Sequence, residues 1–290
     1  MKAIKVTLEK VLKHYLALAQ KLDKETEAVK LLIMELSNLT PHEFYLNQQE
    51  KLSDELTFLI DEAVSKYLYQ DIPIQHILGF SYFYGYQFKV SEHVLIPRRE
   101  TEELVEHILY IYDHTFKGKE VRVLDLGCGS GCIGITLSLE ALKMKVDAAD
   151  ISLDALKVAR ENNERLGSNV SFIHSNWFDQ IDQKYDMIVS NPPYLPQDEF
   201  VEEIVKKEPA VALFGGPSGL DAYDIILKNA TKYLKERGLI AFEHGYHQDA
   251  AIKALAIKYL EDPIIIQKKD LQGKNRMTFI GIGGILKDYE

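Results

Sequence analysis

Residues 125–131 read Asp-Leu-Gly-Cys-Gly-Ser-Gly, and this stretch decides the fold. Its first two residues are the end of the apolar run VRVLDL at 121–126, which predicts a buried strand. Its last residues lead into a helical pattern. Three glycines at alternate positions let a backbone turn sharply and approach a ligand closely. The helix that follows would offer unpaired N–H groups in its first turn. The stretch therefore predicts a strand, a ligand-binding loop and a helix.

Further strand patterns alternate with helical patterns after this loop. They are predicted at 145–150, 170–174, 186–190, 238–243, 263–268 and 277–282. Alternation at this spacing indicates a parallel sheet covered by helices on both faces. The last two strands are separated by only KDLQGKNR, which is too short for a parallel crossover, so they should pair antiparallel. We predict an α/β fold with a seven-stranded, mostly parallel, Rossmann-like sheet and an antiparallel last strand.

Helical signals dominate the first 72 residues. One helical face is predicted from apolar residues at three- and four-residue steps, namely Leu8, Val11, Leu12, Tyr15, Ala19 and Leu22. Thr40-Pro41-His42-Glu43 is a capping box with proline at the first helical position, and Ser53 can cap a further helix. Much later in the chain, Thr101 could cap a helix that begins near Glu102. The N-terminal segment is therefore expected to form a small helical bundle.

A change of pattern near Pro73 marks the predicted domain linker. The run YFYGYQFKV at 82–90 is aromatic and β-branched around Gly85, which suggests a β-hairpin. The predicted organisation is a helical domain at 1–72, a linker with the hairpin at 73–92 and an α/β domain at 93–290.

Composition and charge exclude several classes of protein. The 290 residues are 46% hydrophobic and carry a net charge of −10, which excludes wholesale disorder and the broad basic surface of a DNA-coating protein. Only two cysteines are present, Cys128 and Cys132, so neither a disulfide framework nor a four-ligand zinc site can be built from them. No apolar run approaches the ~18 residues of a membrane span, and the N-terminus lacks the centre of a signal peptide. We expect a soluble cytoplasmic protein.

Two kinds of ligand compete for the glycine loop. Asp150 ends the second predicted strand, and a carboxylate there can accept hydrogen bonds from both hydroxyls of a ribose. The spacing Gly129-x-Gly131-x-x-Gly134 also matches a dinucleotide fingerprint, so a nicotinamide dehydrogenase is one alternative. Asp125 argues against that alternative, because a buried negative charge is unfavourable beside a pyrophosphate. The same charge suits a cationic ligand such as S-adenosylmethionine.

Asn191-Pro192-Pro193-Tyr194 follows directly from the fourth predicted strand. Its prolines lack an N–H group, so the segment presents carbonyl acceptors, and the Asn191 side chain adds another. Asn191 and the Pro192 carbonyl can together receive both hydrogens of an –NH2 group, while Tyr194 offers a flat face to the planar group that carries it. Such acceptors can aim a weakly nucleophilic nitrogen at a donor methyl and stabilise the positive charge that develops on it. The motif predicts methyl transfer to a planar –NH2 group.

The glycine loop, Asp150 and NPPY together resemble class I S-adenosylmethionine-dependent methyltransferases that act on planar –NH2 groups. Four further stretches are similar to the HemK family, namely LIPRRETE at 95–102, NWF at 176–178, EP at 208–209 and FGGPSGL at 214–220. The similarity covers nearly the whole chain. It implies methyl transfer from S-adenosylmethionine to the side-chain amide of the glutamine in the Gly-Gly-Gln motif of class 1 peptide-chain release factors. The other product would be S-adenosylhomocysteine.

The resemblance also implies roles for individual residues. The donor would be bound by Gly127, Cys128, Gly129, Ser130, Gly131, Asp150, Trp177 and Asn191. Asp150 would hold the ribose and Trp177 the adenine, and Asn191 would bridge donor and substrate. The glutamine amide would be held by the catalytic corner, Asn191, Pro192, Pro193 and Tyr194, and no metal is implied. The helical domain would recognise the release factor, and we expect a monomer without stable nucleic-acid or membrane partners.

Departures from the family and alternatives to it remain. Arg99 stands where the family usually has proline, and Glu243-His244-Gly245 stands where it has Glu-Ile-Gly. An adenine amino methyltransferase of RNA or DNA would use the same chemistry. The acidic net charge and the short segment after Tyr194 leave no obvious target-recognition domain for nucleic acid. A non-catalytic adaptor that keeps the fold is a further alternative, against which the intact NPPY argues.

Overall fold

The computed structural model describes residues 6–287 and 289, and it divides them into two compact units. The first unit contains the described residues up to Phe80 together with Val201–Lys207. The second contains Ser81–Phe200 and the described residues from Glu208 onwards. Within the described part of the chain, no helix has the length and apolar character needed to cross a bilayer.

The first unit is built from five helices around an apolar core. They are α1 Leu8–Lys21, α2 Thr26–Leu36, α3 Pro41–Leu46, α4 Asp54–Gln70 and α5 Ile74–Leu78. The predicted capping box is confirmed, because the Thr40 hydroxyl accepts from the Glu43 N–H and the Glu43 carboxylate accepts from the Thr40 N–H. The predicted cap at Ser53 is confirmed as well. The core of this unit includes Leu32, Ile33, Phe44 and Ile60, all fully buried.

The predicted hairpin consists of β1 Phe80–Phe83 and β2 Tyr86–Lys89. Its two-residue turn, Tyr84–Gly85, has positive φ at both positions (51° and 80°), as a type I′ turn requires. The Glu102 carboxylate accepts the Tyr84 N–H at 2.9 Å. Phe83 and Phe88 pack edge to face inside the second unit, with ring centroids 5.9 Å apart. The hairpin is therefore anchored by its aromatic residues.

The second unit contains the predicted seven-stranded sheet. Its strands are β3 Val121–Leu126, β4 Met144–Asp150, β5 Val170–His174, β6 Tyr185–Ser190, β7 Leu234–Glu243, β8 Ile264–Lys269 and β9 Asn275–Ile282. The spatial order is β5-β4-β3-β6-β7-β9-β8. The first five strands pair in parallel, and only β9 runs antiparallel to its two neighbours, β7 and β8. The predicted fold class is thus confirmed, with the last strand inserted between the two strands before it.

Helices cover both faces of this sheet. They are α6 Arg99–Ile111, α7 Cys132–Glu140, α8 Leu153–Leu166, α9 Ala210–Leu213, α10 Asp221–Tyr233 and α11 Asp249–Tyr259. Successive residues of a strand point to opposite faces, so Val123 joins the core formed with α6 and α7 whereas Leu124 joins the core formed with α10 and α11. This double cover explains why the strands are almost continuously apolar.

One sequence prediction about α6 is wrong. The helix begins at Arg99, with Arg98 in the extended N-cap position, so Thr101 lies inside the first turn and does not cap it. The Thr101 hydroxyl makes tertiary contacts instead, because its oxygen accepts the Asn191 Nδ2–H at 3.1 Å and its hydrogen is donated to the buried carboxylate of Glu243 at 2.6 Å.

The order of the strands locates the ligand-binding edge. The chain runs outwards from β3 to β4 and β5, and then returns to place β6 on the other side of β3. In open α/β sheets, ligands bind at the carboxyl ends of the strands where the order reverses. That point lies between β3, which ends in the glycine loop, and β6, which ends in NPPY.

Truncation of a central strand residue tests this description of the core. Ile188 of β6 is fully buried, whereas Ile257 of α11 is 59% exposed. We expect Ile188→Ala to lower the free energy of unfolding in urea by about 2–5 kcal/mol, because it removes buried methyl groups and leaves a cavity. Ile257→Ala should change it by less than about 0.5 kcal/mol. Equal losses in the two variants would contradict the central position of β6.

Candidate active site

A cavity of about 300 Å³ opens at the carboxyl edge of the sheet, within the second unit. The ends of four neighbouring strands contribute to its wall, together with the segment before α6 and the chain around α9 and α10. Eight of the residues predicted to bind donor or substrate line it: Gly127, Cys128, Gly129, Ser130, Asp150, Trp177, Asn191 and Pro193. The other predicted residues, Gly131, Pro192 and Tyr194, lie outside the cavity wall.

The glycine loop owes its shape to positive φ angles and to hydrogen bonds with β4. Gly127 and Gly129 have φ values of 72° and 53°, and a Cβ at either would meet no atom within 4 Å. The N–H groups of Gly127 and Cys128 both donate to the Ala149 carbonyl, at 2.8 and 3.1 Å. Gly131 differs, because a Cβ there would lie 2.9 Å from the Ile135 side chain. The first two glycines therefore leave open space for a ligand, while the third packs against α7.

Asp125 lies buried beneath this loop and does not line the cavity. Its Oδ2 accepts the Gly134 N–H at 3.0 Å, and its Oδ1 has no hydrogen-bond partner among the described residues. Burial raises the pKa of this carboxyl to about 7, although the Gly134 hydrogen bond acts in the opposite direction. The carboxyl thus holds the first turn of α7 in place. As an anion it would favour positive charge in the adjacent cavity through its field, without contact.

Asp150 presents a fixed carboxylate at the cavity wall. Its Oδ2 accepts the Gly129 N–H and its Oδ1 accepts the Ser152 N–H, each at 2.8 Å. Burial raises the pKa of Asp150, and these backbone hydrogen bonds oppose the shift. Each oxygen has a further lone pair, so the group can still accept two hydroxyl hydrogens. The geometry therefore suits a vicinal diol such as that of a ribose.

Trp177 reaches the cavity from a strained turn after β5. Its φ of 49° lies in the left-handed region, which is uncommon for a residue other than glycine. The Ser175 hydroxyl donates to the Trp177 carbonyl at 2.9 Å and accepts the Gln180 N–H at 3.0 Å, and these bonds hold the turn. The indole packs in part against the apolar core and also lines the cavity. It therefore offers a flat apolar surface to a planar ring.

Asn191 lines the cavity with its side-chain amide held at one end. Its Nδ2 donates to the Thr101 hydroxyl at 3.1 Å. Its Oδ1 is shielded from solvent and has no hydrogen-bond partner in the described part of the chain. A buried carbonyl without a partner is unfavourable, so this oxygen is the candidate acceptor for a ligand, which would reach it after a small shift of the groups that cover it.

The next three residues are backed by a second glycine-rich turn. A Cβ at Gly215 would lie 2.2 Å from the Pro193 carbonyl oxygen, and one at Gly219 would lie 2.0 Å from that of Tyr194. The Gln248 amide donates to the Tyr194 carbonyl at 2.9 Å. The carbonyls of Pro193 and Tyr194 are therefore covered. No described residue donates a hydrogen bond to the Pro192 carbonyl, so Pro192 and Asn191 supply the two remaining acceptors.

Tyr194 itself does not line the cavity. Burial raises the pKa of its hydroxyl to about 12. A Cβ at Gly245 would lie 3.5 Å from the Tyr194 ring, so the ring stands close to the backbone that follows β7. In this conformation Tyr194 supports the corner from behind.

The sequence alone assigned no role in the site to Glu243, and to Thr101 it assigned only a helix cap. Glu243 is 1% exposed at the end of β7, and burial raises its pKa to about 7. Thr101 and Glu243 are 142 positions apart, and only tertiary structure brings them together. Their one sequence signal is that Thr101 lies in LIPRRETE, which is similar to the HemK family, and Glu243 lies in Glu243-His244-Gly245, where that family has Glu-Ile-Gly.

The loop before α6 is held by a buried carboxylate. Glu208 is 5% exposed, and it accepts the Ile96 N–H at 2.8 Å and forms an ion pair with Arg98. Arg98 lines the cavity, whereas Arg99 is exposed on the first turn of α6. This loop lacks the proline that the family usually has at position 99. The contacts of Glu208 with Ile96 and Arg98 hold the loop in place.

Comparison with known families matches both parts of the chain. Residues 104–216 match the family described as Methyltransferase small domain, and residues 10–79 match the PrmC N-terminal domain. A release factor glutamine methyltransferase of Bacillus cereus is 37% identical over 240 residues, covering 81% of this chain and 84% of the relative. Another, of Lactococcus lactis, is 40% identical over 260 residues and covers 88% of this chain and 93% of the relative.

Solved structures agree at the level of the fold. A methyltransferase from Pyrococcus furiosus superimposes with a TM-score of 0.50 at 19% identity, covering 78% of this chain and 96% of that one. A 16S rRNA methyltransferase of T. thermophilus, in complex with AdoMet and guanosine, gives a TM-score of 0.50 at 14% identity, covering 70% of this chain and 49% of that one. The predicted resemblance is confirmed: the chain belongs to the HemK family of release factor glutamine methyltransferases, enzymes that use S-adenosylmethionine as methyl donor.

Proposed function

We propose that this enzyme methylates the side-chain amide nitrogen of the glutamine in the Gly-Gly-Gln motif of class 1 peptide-chain release factors. The observation that carries the proposal is Asn191 at the cavity wall, whose Oδ1 has no hydrogen-bond partner among the described residues. The carbonyl of the adjacent Pro192, which is buried behind that wall, also receives no hydrogen bond from them, and the two oxygens form a pair of acceptors. A primary carboxamide has two N–H hydrogens, and this pair can accept both of them. The names of the relatives support the choice of substrate, because they are release factor glutamine methyltransferases.

The residues around the cavity fit the methyl donor. When bound, S-adenosylmethionine supplies a methyl carbon made electrophilic by its sulfonium. Gly127 and Gly129 leave space beside the backbone, Asp150 can accept from the ribose hydroxyls, and Trp177 can stack on the adenine. In its ionised form, Asp125 would add negative charge beneath the loop and favour a cationic ligand.

The reaction needs orientation more than it needs a base. The lone pair of an amide nitrogen is delocalised, and two fixed acceptors can hold the nitrogen so that one lobe faces the donor carbon. Positive charge develops on the nitrogen as the bond forms, and the oxygens of Asn191 and Pro192 stabilise it. Both acceptors are neutral, so neither removes a proton before attack. The methylated nitrogen is strongly acidic and loses its proton afterwards.

We also propose that residues 1–72 recognise the release factor, with 73–92 as linker and 93–290 as the catalytic domain. Four large side chains of the helical unit are between 59% and 69% exposed: Tyr45, Leu46, Phe58 and Tyr69. Exposed apolar and aromatic residues are typical of surfaces that bind other proteins. The proposed enzyme is a cytoplasmic monomer that engages release factors without a stable nucleic-acid partner.

A labelled methyl donor tests the substrate. The enzyme is incubated with the donor and either a class 1 release factor or a pool of RNA and DNA. We expect label in the release factor, on the glutamine of Gly-Gly-Gln, and none in a release factor in which that glutamine is replaced by alanine. Label in nucleic acid alone would overturn the proposal in favour of an adenine amino methyltransferase.

Removal of one acceptor should slow transfer without unfolding the protein. Asn191→Ala is expected to lower kcat about 100-fold or more, because it deletes an oxygen aligned with charge that develops in the transition state. Asn229→Ala is the control, since Asn229 lies on α10 and its side chain bonds only the Ile225 carbonyl at 2.8 Å. Transfer at a near wild-type rate by Asn191→Ala would contradict the acceptor mechanism.

The buried carboxyl of Asp125 should make the stability of the ligand-free enzyme depend on pH. Its pKa is about 7 in the folded state and about 3.9 in an unfolded chain, so folding favours the protonated form. This favourable contribution is complete below pH ~4 and is lost as the pH rises through ~7. Between pH 5 and 7, the free energy of unfolding of wild type should fall by about 2 kcal/mol more than that of Asp125→Asn, which has no carboxyl to titrate at this position. Asp182→Asn, at an exposed position, should follow wild type.

A further inference from the structure

We propose that Glu243, acting both through Thr101 and through its own contact with the Asn191 amide, fixes the direction of that amide so that its carbonyl and not its NH2 group faces the reacting nitrogen. Thr101 and Glu243 are thus positioning residues for the transfer step. The proposal rests on the proposed function to the extent that Asn191 contacts the –NH2 group that is methylated.

The direction of the amide matters because the two ends of an asparagine side chain are nearly equal in size and opposite in polarity. Oδ1 accepts hydrogen bonds, whereas Nδ2 only donates them. A substrate –NH2 group presents hydrogens. An Asn191 turned by 180° would therefore set donor against donor, and it would oppose the positive charge that develops on the nitrogen. The site needs a device that distinguishes the two orientations.

The hydrogen-bond chain from Asn191 to Glu243 provides that distinction. The Thr101 hydroxyl has a single hydrogen, which it donates to Glu243 Oε2 at 2.6 Å. The same hydroxyl oxygen can then only accept, and it accepts the Nδ2–H of Asn191 at 3.1 Å. Nδ2 is thereby fixed at the Thr101 end of the amide. Oδ1 is left at the other end, where it has no partner among the described residues.

The carboxylate sets the direction of the whole chain. An ionised Glu243 is only an acceptor, so the Thr101 hydrogen must point towards it. A neutral group that can donate in its place would allow the hydroxyl to turn, and Asn191 could then rotate and offer Oδ1 to Thr101. The Asn191 amide also interacts directly with the Glu243 carboxylate, which again requires Nδ2 and not Oδ1 at that end. The charged groups around Glu243 are Arg276, which favours the anion, and Glu100, which opposes it. Burial also opposes ionisation and raises the pKa of Glu243 to about 7, so the carboxylate sets the direction of the chain in the molecules in which Glu243 is ionised.

A purely structural role would be a tie between α6 and β7. That role predicts effects on folding stability and none on the transfer step. The positioning role predicts the reverse for an isosteric neutral replacement, because removal of a buried charge relieves desolvation while the direction of the chain is lost. The two interpretations therefore separate in a comparison of kcat, KM and the midpoint of thermal unfolding.

Glu243→Gln and Thr101→Val test the chain on whichever substrate wild type accepts. We expect each variant to lower kcat about 10- to 100-fold, with KM for the protein substrate within about threefold. The unfolding midpoint of Glu243→Gln should be equal to or above that of wild type. Thr101→Ser keeps the hydroxyl and should retain kcat within about threefold. If Glu243→Gln fails to fold, the comparison of Thr101→Val with Thr101→Ser still tests the proposal.

Thr278→Val is the matched control. Thr278 is a fully buried threonine of β9 whose hydroxyl bonds His244 Nε2 at 2.9 Å, and no hydrogen bond connects it with Asn191. We expect it to lower stability and to leave kcat within about threefold of wild type.

A spectroscopic measurement checks the direction without turnover. In ¹⁵N-labelled enzyme, the side-chain NH2 resonances of Asn191, assigned by their loss in Asn191→Asp, should shift in Glu243→Gln and Thr101→Val and stay in place in Thr278→Val. Calorimetry with S-adenosylhomocysteine should give affinities within about threefold of wild type in all of them. Unchanged resonances, or kcat retained in both Glu243→Gln and Thr101→Val, would overturn the proposal. Absence of release-factor methylation by wild type would instead overturn the proposed function.

Discussion

The parallel pairing of β3 with β6 is the constraint on which the rest of the structure depends. It aligns Val123, Leu124 and Asp125 with Met187, Ile188 and Val189. The Ser190 hydroxyl continues the contact by donating to the Leu126 carbonyl at 2.6 Å, where both strands end. Because parallel strands finish at the same edge, this register places the glycine loop beside NPPY. A donor held by one loop can then meet an acceptor corner formed by the other.

Rigidity at that edge comes from close backbone packing. The carbonyls of Pro193 and Tyr194 lie so near Gly215 and Gly219 that no side chain fits between them. Gln248 joins the two segments, because its amide donates to the carbonyls of both Tyr194 and Gly219. A site preorganised in this way need not rearrange as charge develops, which is the condition under which neutral acceptors contribute most to rate. The segment 214–220 therefore contributes to the site without supplying a reacting group.

Buried carboxyls are the recurrent energetic feature of this site. Asp125 and Glu243 are almost fully buried, and burial raises the pKa of each to about 7. Burying an ionisable group is unfavourable for folding unless partners compensate it fully, and each of these has only partial compensation. Both lie directly behind the two ligand-facing loops, one under the donor loop and one behind Asn191. Clusters of ionisable groups with shifted pKa values are typical of functional sites.

Hydrophobic periodicity and turn chemistry act over a few residues, so the sheet, its antiparallel last strand, the hairpin and the helix caps at Thr40 and Ser53 could be predicted from the sequence. The sequence also pointed to the glycine loop, Asp150 and NPPY, whose chemistry is contained within single segments. Only the tertiary structure decided that Thr101 turns away from its own helix towards Glu243, that Glu208 anchors the segment around Arg98, and that Tyr194 lies behind the corner. These contacts join residues more than 50 positions apart or depend on which side of a loop is covered. A local sequence pattern does not show which distant residues will be in contact or which side of a loop will be covered. Burial and hydrogen-bond partners are fixed only when distant segments pack together.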